Sequence, residues 1–127
     1  MDTKANVLVV DDDPLIVELI SMMLTQNEFA VHNATSGTDA LVLLRNQPID
    51  IMLIDYNMPG MNGVELIRET RKTHPNIIIL VVTAYPTAYL GRYASLKGVQ
   101  AVVPKPLEYK SFVRKVKTAL DNRQHQI

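Results

Sequence analysis

Five short apolar runs, each followed by a segment long enough for a helix, constrain the fold of this chain more than any other feature. They occupy residues 7–10 (VLVV), 29–33 (FAVHN), 51–54 (IMLI), 77–82 (IIILVV) and 101–103 (AVV). A short unbroken apolar run reads as a strand buried on both faces, the kind found in parallel sheets. The run at 29–33 alternates only weakly, and the run at 77–82 is the most β-branched. Strands separated by helix-length segments cannot pair as hairpins. They join through right-handed crossovers, with helices on both faces of a parallel sheet. The expectation is one doubly wound α/β domain of five strand–helix units.

The intervening segments carry helix signals. Asp13 suits an N-cap and Pro14 the first helical position. Ile16, Leu19, Ile20, Met23 and Leu24 then recur at helical spacing through about Gln26. Ser36 with Asp39 resembles a capping box, and the helix it opens must stop before Pro48. Asn62 with Glu65 opens a third helix carrying Val64 and Ile67, which ends ahead of Pro75. Ala88, Leu90, Ala94 and Leu96 fit a fourth helix interrupted by Gly91. Phe112, Val113, Val116 and Leu120 give a last helix from about Glu108 to Asp121. The polar residues 122–127 read as a frayed helix end or the start of a linker. Met22, Met23 and Met52 fall at core spacings and are assigned to packing.

The bulk numbers narrow the function classes. A chain of 127 residues is one domain by length, large enough to bury a core without a disulfide or metal staple. Thirteen basic and thirteen acidic residues cancel. That balance leaves no electrostatic footprint for nucleic acid or for an anionic membrane. With no cysteine there is no thiolate metal site and no thiol redox chemistry. The longest apolar run is about eight residues, far short of the ~20 needed to span a bilayer. Acidic residues stand where a signal peptide would have its apolar core, so the expected location is the cytoplasm.

What ends each strand points to chemistry. Asp11 and Asp12 follow the first strand, Asp55 the third, Thr83 the fourth and Lys105 the fifth. In a parallel sheet these positions share one edge, where open α/β sheets bind their ligands. Singly, each has an ordinary explanation: a turn-forming Asp, a Thr bonded to its own backbone, a snorkelling Lys. Together they place three carboxylates, a hydroxyl and an ammonium in one pocket. Three close carboxylates raise one another's pKa unless a cation sits among them. Oxygen-only ligands with retained waters describe Mg2+. A metal-filled site of this kind then receives an anion, and phosphoryl fits best. Asp55 is read as the carboxylate nucleophile. Lys105 and the metal neutralise the transferring oxygens, and Thr83 supplies a hydroxyl donor. His32, His74 and His125 share no face or spacing with these carboxylates.

The stretches VLVVDDDP, MLIDYNMPGMNG, VVTAY and PKP, in this order and at these separations, resemble the receiver domain of two-component response regulators. The resemblance spans about residues 5–121. It implies a flavodoxin-like sheet with strand order 2-1-3-4-5, the order of the chemotaxis receiver. It also implies that Asp55 is the phosphoacceptor. Asp12 and Asp55 would be direct metal ligands, Asp11 would act through water, and the Asn57 carbonyl would complete the protein's share. Thr83 and Lys105 match the phosphoryl-sensing pair, and Lys105–Pro106 matches a cis peptide bond. Asn57 and Tyr85 match positions that influence phosphoryl lifetime.

The implied function is a phosphorylation-dependent switch rather than an enzyme. Its phosphoryl donor would be a sensor histidine kinase or a phosphotransfer protein. Its output would run to a further domain or a protein partner through the face around the fourth helix and fifth strand. Val102 stands where receivers often carry an aromatic ring, and a β-branched side chain cannot make that ring's swing. The segment 85–98 is therefore expected to order or shift as a unit. The strongest rival is a haloacid-dehalogenase-like phosphatase, with Asp11 as nucleophile and Asp13 as acid/base. That chemistry needs an acidic pair after the lysine, and only Glu108 and Asp121 follow Lys105.

Overall fold

Val7, Leu8, Val9 and Val10 are all buried, as a strand covered by helices on both faces requires. The structure, a computed structural model, describes residues 4–55, 63–84 and 99–124. Strands β1 (Asn6–Val10), β2 (Ala30–Ala34), β3 (Ile51–Asp55), β4 (Ile78–Thr83) and β5 (Val99–Pro104) form one sheet. Every pairing is parallel and the order is β2-β1-β3-β4-β5, as expected. The described helices are α1 (Pro14–Thr25), α2 (Gly37–Asn46), α3 (Gly63–Thr73) and α4 (Tyr109–Gln124).

Alternate residues of the central strands feed two separate cores. Val7, Val9, Leu53 and Leu80 pack with Ile20 and Leu24 of α1 and with Phe112 and Val116 of α4. Leu8, Val10, Met52 and Ile79 pack on the other face with Ala40 and Leu44 of α2 and Leu66 and Ile67 of α3. Apolar area removed from water on both faces, at about 25 cal/mol per Å2, is the main source of cohesion.

The helix starts follow the sequence signals. The Asp13 side chain accepts the Leu15 N–H at 3.0 Å, with Pro14 at the first turn. Ser36 Oγ accepts the Asp39 N–H at 3.1 Å. Glu108 caps α4, its carboxylate accepting the Ser111 N–H at 2.7 Å.

The boundaries differ in places. β2 begins at Ala30 rather than Phe29, because the Phe29 N–H still donates to Leu24 O at the end of α1. Just before it, Glu28 takes a left-handed φ of 68° to turn the chain. β5 is longer than its apolar triplet, and α4 continues through Asn122 and Arg123 to Gln124.

The buried face of α1 also differs. Leu19 and Met22, assigned to the core, are 48% and 54% exposed, while Val17 is buried. α1 is apolar around most of its circumference, so spacing alone did not single out the face that meets the sheet. Met23 and Met52 are buried as expected, and Val102 packs partly buried against the second core. The fourth helix expected around 88–96, the Asn62 cap, Asn57 and Tyr85 lie outside the described residues.

Candidate functional site

Parallel pairing decides which residues meet. Val10 lies beside Ile54 in the register of β1 and β3, so the residues that follow, Asp11 and Asp55, emerge side by side. Asp55 is the last residue of β3 and is 8% exposed; Asp11, one residue past β1, is buried as well. Thr83 ends β4 at the same edge, buried, opposite Pro104 of β5. Lys105 follows at once, its N–H donating to Thr83 O at 2.9 Å, and its bond to Pro106 is cis.

The side chains converge. Lys105 Nζ donates to Asp55 Oδ1 and to Asp11 Oδ2, each at 3.2 Å. Asp11 Oδ1 accepts the Asp13 N–H at 3.0 Å, closing a short turn after β1. Asp12 is exposed, but one carboxylate oxygen from each of Asp11, Asp12 and Asp55 lies within 4.8 Å of the others.

The electrostatics are those of a site short of positive charge. Burial, and next the neighbouring Asp11 carboxylate, push Asp55 above the ordinary carboxylate value of 3.8; Lys105 pulls against them without winning. Burial works to lower Lys105, yet the Asp55 and Asp11 carboxylates outweigh it and hold the ammonium above 10.5. Among the described residues one lysine thus stays charged between two buried carboxylates and leaves the cluster net negative. Hard oxygen donors in that arrangement suit a divalent cation of the Mg2+ kind. The edge can therefore bind a metal and present a carboxylate to an anionic group.

Among the described residues, Asp11, Asp12, Asp55 and Lys105 form the cluster, and Thr83 ends the neighbouring strand β4. Asp13 does not join it, since its side chain caps α1. That placement removes the acid/base required by the phosphatase reading. Two features escaped sequence reasoning. The Asp13 N–H holds Asp11 in place, for which the run Asp11-Asp12-Asp13 was a usable turn signal. Lys105 also binds two carboxylates at once, and no spacing signals that.

Comparison with known proteins agrees with this geometry. The sequence pattern of the response regulator receiver domain matches residues 7–117. The heme response regulator HssR of Staphylococcus epidermidis is 34% identical over 122 residues, covering 96% of this chain. The chain spans 53% of that regulator's length, and 26% of the length of another curated relative. A CheY-like response regulator receiver domain protein from Methanospirillum hungatei superposes with a TM-score of 0.91 at 25% identity, over 98% of this chain and 100% of that one. The response regulator TrrA of Thermotoga maritima, solved in complex with Mg2+ and BeF, gives 0.82 at 30% identity, over 91% and 98%. This chain belongs to the receiver domains of response regulators, the signalling domains of two-component systems.

Proposed function

We propose that Asp55 is the phosphoacceptor of this receiver and that Asp11, Asp12, Thr83 and Lys105 build its site. The observation that carries the reading is the pair of salt bridges from Lys105 to Asp11 and Asp55, within a carboxylate cluster that remains net negative among the described residues. In phosphotransfer the P–N bond of a donor phosphohistidine breaks as a carboxylate oxygen of Asp55 forms the new P–O bond. The donor imidazole leaves with the electron pair. Lys105 sits within reach of the acceptor and offsets charge on the incoming oxygens, while Thr83 offers a hydroxyl at the rim. Asp12 and Asp55, with the Asn57 carbonyl, would hold Mg2+ directly and Asp11 through water. Bound there, Mg2+ neutralises charge on the transferring phosphoryl group. Support comes from the oxygen-only donor set here and from the Mg2+–BeF complex of TrrA.

On this reading the receiver unit runs over residues 5–121, and the last turn of α4 carries the polar residues 122–124 beyond it. It catalyses only its own phosphorylation and dephosphorylation. Its donor is a sensor histidine kinase or a phosphotransfer protein. An output domain or protein partner engages the face around β5 and the segment 85–98, without direct nucleic-acid or membrane contact. Cytoplasmic residence follows from such partners; no described helix is long and apolar enough to cross a membrane. The test is Asp55→Asn, nearly isosteric, incubated with acetyl phosphate and Mg2+. The wild type takes up phosphate and the variant does not; equal uptake by the variant would name another acceptor.

A further inference from the structure

The edge strand β5 carries one residue more than its partner needs. Ile79 lies opposite Val99, but Leu80 lies opposite Ala101, so Gln100 is an insertion in the ladder. Its side chain is exposed and reaches back along the edge to β4, where Oε1 accepts the Ile79 N–H at 3.2 Å. Bulges that re-aim a side chain cluster beside active sites and are rare between parallel strands. Beyond this one, the pairing runs regularly from Leu80 opposite Ala101 to Thr83 opposite Pro104, and Lys105 follows.

The side chains of β5 specify this register only weakly. Ala101 and Val102 are both half-buried, Val103 is buried, and two of the three are valine. A slip by one residue would exchange neighbours of nearly equal character, which is where register is poorly fixed. Continuing the Ile79–Val99 pairing without the insertion would set Val103 opposite Thr83. Pro104 would then stand where Lys105 now donates its N–H to Thr83 O, and proline has no N–H to give. In that register Lys105 would move on by about 3.3 Å and change face. Its ammonium would leave both Asp11 and Asp55.

We infer that Gln100 is a positioning residue: by taking the Ile79 N–H it holds β5 in the bulged register that delivers Lys105 to the carboxylates. Pro104 acts with it by disfavouring the slipped pairing. The functional side of the inference rests on the reading of Lys105 as part of the phosphoryl site, whereas the register itself is independent of that reading.

Two measurements test it, on Gln100→Leu, which keeps bulk and loses the acceptor, and Gln100→Glu, which keeps an acceptor. The first is amide hydrogen exchange of the metal-free protein. Lys105 loses protection in Gln100→Leu and regains it in Gln100→Glu. Wild-type protection of Lys105 in Gln100→Leu would overturn the inference. The second is the rate of phosphorylation by acetyl phosphate in a cycle with Lys105→Ala. Gln100→Leu lowers the rate roughly ten- to a hundredfold, and Lys105→Ala costs little more in that background. Equal costs of Lys105→Ala in both backgrounds would reduce Gln100 to a structural role and overturn its link to the site. If Lys105→Ala leaves the wild-type rate unchanged, the reading of the site fails instead, and exchange at Lys105 decides the register alone.

Discussion

Lys105 and Asp55 stand 50 residues apart in the chain and meet at 3.2 Å, ammonium to carboxylate oxygen. The same ammonium reaches Asp11 at 3.2 Å. Among the described residues, three strands thus share one cation at their common edge, and that cation does not neutralise them. The imbalance has consequences for stability, metal binding and phosphorylation.

The first consequence is a pH dependence of the metal-free protein. Asp55 is held above 3.8 by burial and then by Asp11, so the native state binds its proton more tightly than the unfolded chain does. Its stabilising contribution is present below the unfolded value and lost as pH rises through the folded value. At neutral pH the charged form is a penalty, which Asp55→Asn removes. The variant should melt several degrees higher than the wild type at pH 7, and the gap should narrow as pH falls toward 3.8. A lower-melting variant at pH 7 would show that the Lys105 contact outweighs burial.

Metal affinity distinguishes the two neighbouring aspartates. Both Asp11 oxygens are already engaged, one by the Asp13 N–H and one by Lys105, whereas Asp12 is exposed. Asp11→Ala should weaken Mg2+ binding about tenfold, as loss of an outer-shell partner does. Asp12→Ala should weaken it further. Mg2+ titration of both variants, followed by calorimetry, checks the order; equal or reversed losses contradict the ligand assignment.

A third prediction lies away from the site. The Thr70 hydroxyl in α3 is fully buried and has no hydrogen-bond partner among the described residues. Burying an unpaired polar group is costly, and a shape-matched apolar replacement removes that cost. Thr70→Val should raise unfolding stability by about 1 kcal/mol in urea titration. A loss of stability would mean that the hydroxyl has a partner worth keeping.

The legibility of the sequence follows from the physics of each element. β1, β3 and β4 are covered on both faces, so they stand out as unbroken apolar runs and their last residues are easily marked. Asp13-Pro14 and Ser36 announce helix starts because capping needs few residue types at fixed places. The strand ends put Asp11, Asp12, Asp55, Thr83 and Lys105 at one edge of the sheet, where the side chains of Asp11, Asp12, Asp55 and Lys105 meet. α1 was harder. Leu15 is 74% exposed, and with Leu19 and Met22 it gives the helix a second apolar stripe that periodicity cannot separate from the buried one. The insertion at Gln100 was invisible, because Val99-Gln100-Ala101-Val102-Val103 lacks the alternation that would fix its partners.

The central claim is that this edge of the sheet exists to put a phosphoryl group on Asp55. The most direct measurement is peptide mapping by mass spectrometry after incubation with acetyl phosphate and Mg2+, with reductive trapping of the acyl phosphate. The account predicts one modified residue, Asp55, and no modification when Mg2+ is chelated. Label on Asp11, or label on Asp55 that is indifferent to Mg2+, would contradict it.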